Sequence, residues 1–152
     1  MADWAARLDA LGITLPAVAA PVAAYVPAVR SGAHVYTSGQ LPFVNGALAA
    51  TGKVGTEVSA EQAKDLARSC ALNALAAIHA LVGIDAVVRV VKVVGFVASA
   101  EGFTGQPGVL NGASELLGEI FGDAGAHARS AVGVAELPMN APVEVELIVE
   151  CV

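Results

Sequence analysis

The fold is decided by one continuous stretch, Ser59 to Val97, which reads SAEQAKDLARSCALNALAAIHALVGIDAVVRVVKVVGFV. It opens on a capping box, because the Ser59 hydroxyl can accept from the backbone N–H of Gln62 while the Gln62 side chain reaches back. An apolar stripe at helical spacing follows and ends at Gly83, which predicts one long helix lying on a sheet. The valine-rich run Val87 to Val97 is typical of a central strand.

Further elements are predicted on both sides of this unit. Before it, we expect a short helix over Ala2 to Leu11, an extended lead-in from Thr14 to Val29 running on to Gly32, a strand over His34 to Gln40 and a hairpin turn over Phe43 to Gly46. After it, we expect a Gly-rich loop over Glu101 to Gly108, a helix over Val109 to Phe121 and a hairpin of two strands, His127 to Leu137 and Val143 to Val152. This order predicts an α+β fold with helices on one face of a mixed sheet.

Length and composition bound the organisation of the chain. Its 152 residues are the size of one domain, so we expect a single domain over 1–152, with 1–15 as a helical extension. Hydrophobic residues make up 56% and charged residues 14%, which indicates self-association through a further apolar face. The apolar stretches Thr14 to Val29 and Ser69 to Ile84 are short for a membrane span, and Asp3, Arg7 and Asp9 do not suit a secretory signal. We therefore expect a cytoplasmic protein without membrane contact.

Charge and motifs exclude several classes of function. A net charge of −6 with scattered basic residues gives no positive surface for nucleic acid. His34, His79 and His127 lack the spacing of metal ligands, so no metal site is expected. The sequence contains neither a phosphate-binding loop nor a nucleophile elbow, which removes support for nucleotide-driven enzymes and for hydrolases of that type.

Acidic residues alternate along the last predicted strand. Glu144, Glu146 and Glu150 share one face, which is either a solvated sheet face or the wall of a cleft. In a cleft, partial burial would raise the pKa of at least one carboxyl into the range useful for a general base. Glu144 and Glu146 are the candidates.

Arg129 is the only basic residue after Lys92 and stands between small residues. It is either an exposed arginine or the binding group for a ligand carboxylate, which a planar guanidinium holds with two hydrogen bonds. If the terminal hairpin turns near Met139, Glu144 lies roughly 20 Å along the strand from Arg129. A site that needs both side chains must then be built between subunits. His127 stands two residues before Arg129 and could border the same cleft.

Several segments resemble the RidA/YjgF family, the reactive intermediate deaminases formerly labelled endoribonuclease L-PSP. The resemblance runs from about Val22 to the C-terminus. Its pieces are Ala24-Tyr-Val26, Tyr36-Thr-Ser-Gly-Gln-Leu-Pro42, Val109-Leu-Asn111, Ala128-Arg-Ser-Ala-Val132, Leu137-Pro138 and Val143-Glu-Val-Glu146.

The resemblance implies a chorismate-mutase-like fold, a homotrimer with clefts between subunits, and hydrolysis of 2-imino or enamine acids to 2-oxo acids and ammonia without a cofactor. Carried over by position, Arg129 binds the substrate carboxylate, Glu144 positions or activates water, and Tyr25 lines the pocket. Ser38, Gly39 and Asn111 shape the cleft.

Three positions depart from the family pattern. The active deaminases usually have an aromatic-proline pair before the Ala-Arg-Ser motif and a cysteine two residues after the arginine, where this chain has Ala126-His127 and Ala131. These departures indicate a divergent branch. The alternatives are a non-catalytic trimer that binds a small carboxylate metabolite, an endoribonuclease, which the acidic surface disfavours, and a purely structural role.

Overall fold

A five-stranded mixed sheet with two long helices on one face organises the chain in the computed structural model, which describes residues 2–18 and 24–152. The helices are α1 (Trp4–Ala10), α2 (Ala60–Val82) and α3 (Gln106–Phe121). The strands are β1 (Ala28–Ser31), β2 (His34–Thr37), β3 (Phe43–Val44), β4 (Ala47–Leu48), β5 (Val87–Ala98), β6 (Ala128–Val134) and β7 (Val143–Cys151). The order in the large sheet is β1-β2-β7-β5-β6, while β3 and β4 form a separate hairpin.

Local signals place α2 as the sequence predicts. The Ser59 hydroxyl accepts from the backbone N–H of Gln62 at the N-cap, and Gly83 ends the helix with a φ of 80°. The β3–β4 turn also forms at Asn45 and Gly46, whose φ angles are 52° and 81°. Residues 19–23 of the predicted lead-in lie outside the described part of the chain.

The predicted terminal hairpin is wrong. β6 pairs in parallel with β5, and β5 lies between β6 and β7 and pairs antiparallel with β7. Residues 135–142 therefore cross to the far side of β5 instead of joining neighbouring strands. A parallel β5–β6 pair needs a long connection, and α3 provides it.

Further boundaries differ from the prediction. The strand expected over His127 to Leu137 spans Ala128–Val134. The helix expected over Val109 to Phe121 begins at Gln106, because Pro107 is accepted in its first turn. The strand expected over His34 to Gln40 ends at Thr37, and Gln40 forms only an isolated bridge with Val145.

The core lies between the sheet and the two long helices, and α2 and α3 approach each other closely. Gly112 of α3 is buried, and a Cβ added there would overlap the backbone carbonyl oxygen of Lys64 in α2. At the other end of α3, the Trp4 ring packs edge-on against Phe121 with centroids 5.0 Å apart, and its Nε1 donates to the Val87 carbonyl at 2.8 Å. These contacts hold α1 against the end of the core.

Among the described residues, α2 is the one helix long and apolar enough to cross a membrane by length and composition, with a mean hydropathy of 1.2. The core helix of a folded domain meets the same two criteria. Of its apolar window, 56% is buried, and the helix packs on α3 and β7.

Candidate functional site

Arg129 lies on the edge strand β6 and points toward α3. It is paired with Val93, whose side chain is buried under the helices, so both lie on the helix side of the sheet. The guanidinium Nη1 donates to Asn111 Oδ1 at 2.9 Å and to Ser114 Oγ at 3.1 Å, and Nη2 donates to the Pro107 carbonyl at 3.3 Å. The first nine residues of α3 thus supply all three of these acceptors.

One edge of the Arg129 guanidinium is left for a ligand. A guanidinium has five N–H donors, and the three bonds to α3 use both on Nη1 and one on Nη2. The Nε group makes no hydrogen bond to any residue that the structure describes, and Nε and Nη2 lie on the same edge of the planar group. Because the side chain is only partly buried, this edge can meet a carboxylate with two parallel hydrogen bonds.

His127 lies behind this arrangement rather than beside the open edge of Arg129. Its Nε2 is 2.9 Å from Ser114 Oγ, and its Nδ1 is 2.6 Å from the Gly125 carbonyl oxygen. Ser114 therefore stands between His127 and Arg129. Ser114 was not predicted from the sequence, although it lies one helical turn after Asn111, on the same face of α3.

Glu144 lies on the opposite face of the sheet. Its neighbours along β7, Val143 and Val145, are buried under the helices, and Glu144 pairs with Phe96 on the other face. The carboxyl group is half-buried. Burial raises the pKa of Glu144 above its usual 4.5, and the like charge of Glu146 raises it further.

We expect Glu146→Gln to lower the pKa of Glu144, because it removes the repelling charge on the same face of β7. The pKa stays above the usual value, since burial is the larger cause. Carboxyl ¹³C chemical shifts of labelled protein, followed through a pH titration, measure this directly. Glu150→Gln is the matched control, because Glu150 is not among the groups that shift Glu144; an unchanged Glu144 titration in Glu146→Gln would contradict the assignment.

The raised pKa of Glu144 determines how this residue changes folding stability with pH. A folded-state pKa above the unfolded value means that the fold prefers the protonated carboxyl. Its stabilising contribution is fully present below about pH 4.5 and is lost as the pH rises through the raised pKa of Glu144. At any pH above the raised pKa of Glu144, holding the ionised carboxylate costs folding free energy, as is common for functional groups.

Gly39 and Ser38 border Glu144 and connect it to the segment that follows Tyr25. A Cβ added at Gly39 would overlap Glu144 Oε1, so a larger residue there would displace the carboxylate from its present position. Ser38 donates from Oγ to the Val26 carbonyl at 2.6 Å and from its backbone N–H to the Pro27 carbonyl at 2.8 Å. Tyr25 is 45% exposed, so its ring is available to a ligand or to another subunit.

The predicted site residues form two groups that do not meet within one chain. Arg129, Asn111 and His127 lie on the helix side of β6, while Glu144 lies on the open face of β7. Glu144 lies in register with Phe96 and Val132, three residues along the strands from the register position of Arg129. The backbone positions of Glu144 and Arg129 are therefore separated by about 10 Å along the strands and by about 10 Å across the two strand spacings between β7 and β6. This corrects the predicted 20 Å, which assumed a hairpin, and adds that the two side chains point in opposite directions.

The described residues include no cluster of side chains suited to bind a metal ion. No group of three or more His, Cys, Asp or Glu side chains converges among residues 2–18 and 24–152. Cys70 and Cys151 are both buried, and burial raises the pKa of each thiol. The chemistry available at the site is therefore that of a guanidinium on one face and a carboxylate on the other.

The sequence model of a family described as YjgF/chorismate-mutase-like, putative endoribonuclease, matches residues 5–151. The chain belongs to the YjgF family. This confirms the resemblance drawn from the short motifs, and the mixed sheet with helices on one face agrees with the fold expected of the family.

Similar proteins match over nearly the whole chain. Protein TCP17 of Trypanosoma cruzi is 47% identical over 148 residues, which are 96% of this chain and 92% of that protein. A crystal structure of a protein of unknown function from Agrobacterium tumefaciens is 46% identical with a TM-score of 0.89, covering 98% and 92% of the two chains. The structure of Escherichia coli TdcF with bound serine is 26% identical with a TM-score of 0.66, covering 91% and 96%.

Proposed function

We propose that this protein hydrolyses 2-imino or enamine acids to 2-oxo acids and ammonia in clefts between the subunits of a homotrimer. Arg129 of one subunit binds the substrate carboxylate, and Glu144 of a neighbouring subunit positions the attacking water. The observation that carries the proposal is the Arg129 guanidinium, held by three acceptors of α3 with its Nε edge unused. The family match supports the assignment but extends only to family membership.

The geometry of one chain supports a site shared between two subunits. Arg129 and Glu144 lie on opposite faces of the sheet, so one substrate can contact both only if a second chain brings its Glu144 to the first chain's Arg129. The open sheet face offers a surface for such contact, since Val29, Tyr36 and Val132 are 51%, 42% and 44% exposed.

Imine hydrolysis needs only a proton acceptor for water and a group that anchors the substrate. Water adds to the imine carbon, the nitrogen accepts a proton, and ammonia leaves as the carbonyl forms. Glu144 accepts a proton from the water, and its raised pKa makes it a better proton acceptor than an ordinary glutamate. Arg129 holds the substrate in place, which lowers the entropic part of the barrier. No cofactor takes part in this scheme.

The test is ammonia release from 2-iminopropanoate and 2-iminobutanoate, generated in place by an amino-acid oxidase. Wild type should accelerate hydrolysis above the uncatalysed rate. Arg129→Ala and Glu144→Gln should each lose most of the activity as pure proteins. When the two variants are unfolded, mixed in equal amounts and refolded together, about a quarter of the clefts regain a wild-type Arg129 and a wild-type Glu144.

Recovery of about a quarter of the wild-type rate in the mixture supports a site shared between chains. A mixture as inactive as its parents, with both variants folded and co-assembled, contradicts it. If wild type itself gives no acceleration, the deaminase proposal fails for these substrates. Refolded wild type serves as the control for the procedure.

A second candidate is a non-catalytic trimer that binds a small carboxylate metabolite. The observation in its favour is the relative TdcF, whose structure holds serine, a stable amino acid with a carboxylate and no imine. The departures at Ala126, His127 and Ala131 from the usual deaminase motif point the same way. Binding of a 2-oxo acid or serine without ammonia release from imines would favour this candidate. Cleavage of RNA is weakly supported, because the chain carries a net charge of −6.

A further inference from the structure

The donor and acceptor of each hydrogen bond that links Arg129, Ser114, His127 and Gly125 can be assigned. An arginine N–H can only donate and a carbonyl oxygen can only accept, so Ser114 Oγ accepts from Arg129 and the Gly125 carbonyl accepts from His127 Nδ1. In neutral His127 the proton then sits on Nδ1, which leaves Nε2 as an acceptor for the Ser114 hydroxyl at 2.9 Å. The chain runs Arg129 to Ser114 to His127 to Gly125.

The far end of this chain is fixed by backbone packing. Gly125 is buried, and a Cβ added there would overlap the backbone carbonyl oxygen of Leu117 in α3. The carbonyl that accepts from His127 therefore belongs to a residue pressed against the same helix that carries Ser114. Both ends of the chain are tied to α3, so the His127 ring is held at both nitrogens.

These bonds occupy the hydroxyl hydrogen of Ser114 and both ring nitrogens of His127. The Ser114 hydroxyl both accepts from Arg129 and donates to His127, and each nitrogen of the His127 ring has a protein partner. Both ring nitrogens of His127 are therefore occupied, and the Ser114 oxygen keeps one lone pair but no free hydrogen. This separates His127 from the ligand-binding role given to it by position in the sequence.

We propose that Ser114 and His127 are positioning residues, which hold the Arg129 guanidinium with its Nε and Nη2 edge toward the substrate carboxylate. The inference rests on the proposed function, because it assumes that Arg129 binds a carboxylate. Without Ser114, Nη1 keeps only its bond to Asn111, and the guanidinium can rotate away from the geometry that makes two parallel hydrogen bonds. Without His127, the Ser114 hydroxyl can turn its hydrogen toward Arg129 and stop accepting.

The test uses two pairs of variants in which one member keeps the required group. Ser114→Ala removes the hydroxyl and Ser114→Thr retains it. His127→Phe removes the acceptor, and His127→Gln retains an oxygen near the place of Nε2. Ser69→Ala is the matched control, because the Ser69 hydroxyl bonds only to the Asp65 carbonyl within α2.

Binding of 2-oxobutanoate, measured by titration calorimetry, should weaken by about tenfold in Ser114→Ala and His127→Phe and stay within about threefold of wild type in the other variants. The melting temperature of each variant is measured beside it. A merely structural role would lower the melting temperature of Ser114→Ala while leaving the affinity of the folded protein unchanged, and that outcome overturns the proposal. Equal loss in Ser114→Ala and Ser114→Thr overturns it as well.

A second readout needs no ligand. Nitrogen-15 spectra of histidine should show His127 protonated at Nδ1 with an unprotonated Nε2, and the Arg129 side-chain N–H signals should be distinct in wild type and averaged in Ser114→Ala. If wild type fails to bind 2-oxobutanoate, the carboxylate-binding proposal fails, while these spectra still judge the positioning. An Arg129 signal that stays distinct in Ser114→Ala, or a proton on Nε2 alone, contradicts the inference.

Discussion

Arg129→Ala should lower kcat/KM for imine hydrolysis by about a hundredfold or more. The substitution removes the only side chain of β6 that can pair with a carboxylate, and it leaves the acceptors Asn111 Oδ1 and the Pro107 carbonyl without their donor. Binding of 2-oxobutanoate should weaken in parallel, because the carboxylate is present in both substrate and product. Steady-state ammonia release and calorimetry measure the two effects.

The matched variants separate charge from geometry. Arg129→Lys keeps the positive charge but loses the planar fork, so it should recover only part of the activity. Arg68→Ala removes an arginine of α2 that pairs with Glu119 at 3.4 Å on the surface and should leave activity unchanged. Wild-type kcat/KM in a folded Arg129→Ala protein would remove Arg129 from the site.

Gly112→Ala should destabilise the fold by about 1 to 3 kcal/mol. A methyl group at this position overlaps the Lys64 carbonyl, which belongs to the backbone of α2 and cannot rotate aside as a side chain would. The two helices must separate locally, and this separation weakens the extensive packing between α2 and α3. Urea unfolding followed by circular dichroism gives the change in free energy.

Gly118→Ala in the same helix is the control and should change stability in the opposite direction. A Cβ at Gly118 meets no atom within 4 Å, so the substitution only reduces the flexibility of the unfolded chain. We expect a gain of about 0.5 to 1 kcal/mol. If both variants lose stability equally, helix propensity and not the close approach of α2 to α3 would govern Gly112.

Elements with a local chemical signal could be predicted from the sequence. Ser59 caps α2 through an amide three residues away, and Asn45-Gly46 adopts positive φ angles on its own, so neither depends on distant parts of the chain. The partner of β6 has no such signal. The Pro138 to Pro142 segment does turn, with Met139 and Asn140 at φ angles of 58° and 57°, but a turn does not tell which strands it brings together.

The candidate site shows the same division. Alternation along β7 was enough to put Glu144 on the face away from the core, and the prediction that one chain cannot join it to Arg129 agrees with the geometry. The contacts around Arg129 could not be predicted, because they depend on the rotation of α3 relative to β6. Asn111 came from the resemblance alone, and Ser114 became visible only when the helix was placed against the strand.

The chain contains a single tryptophan, and the structure gives it a use in the laboratory. Trp4 packs edge-on against Phe121 and donates to the Val87 carbonyl, so its emission reports the docking of α1 on the ends of α3 and β5. Circular dichroism is dominated by α2 and α3. Comparing the two signals during unfolding therefore separates release of the N-terminal helix from melting of the whole domain.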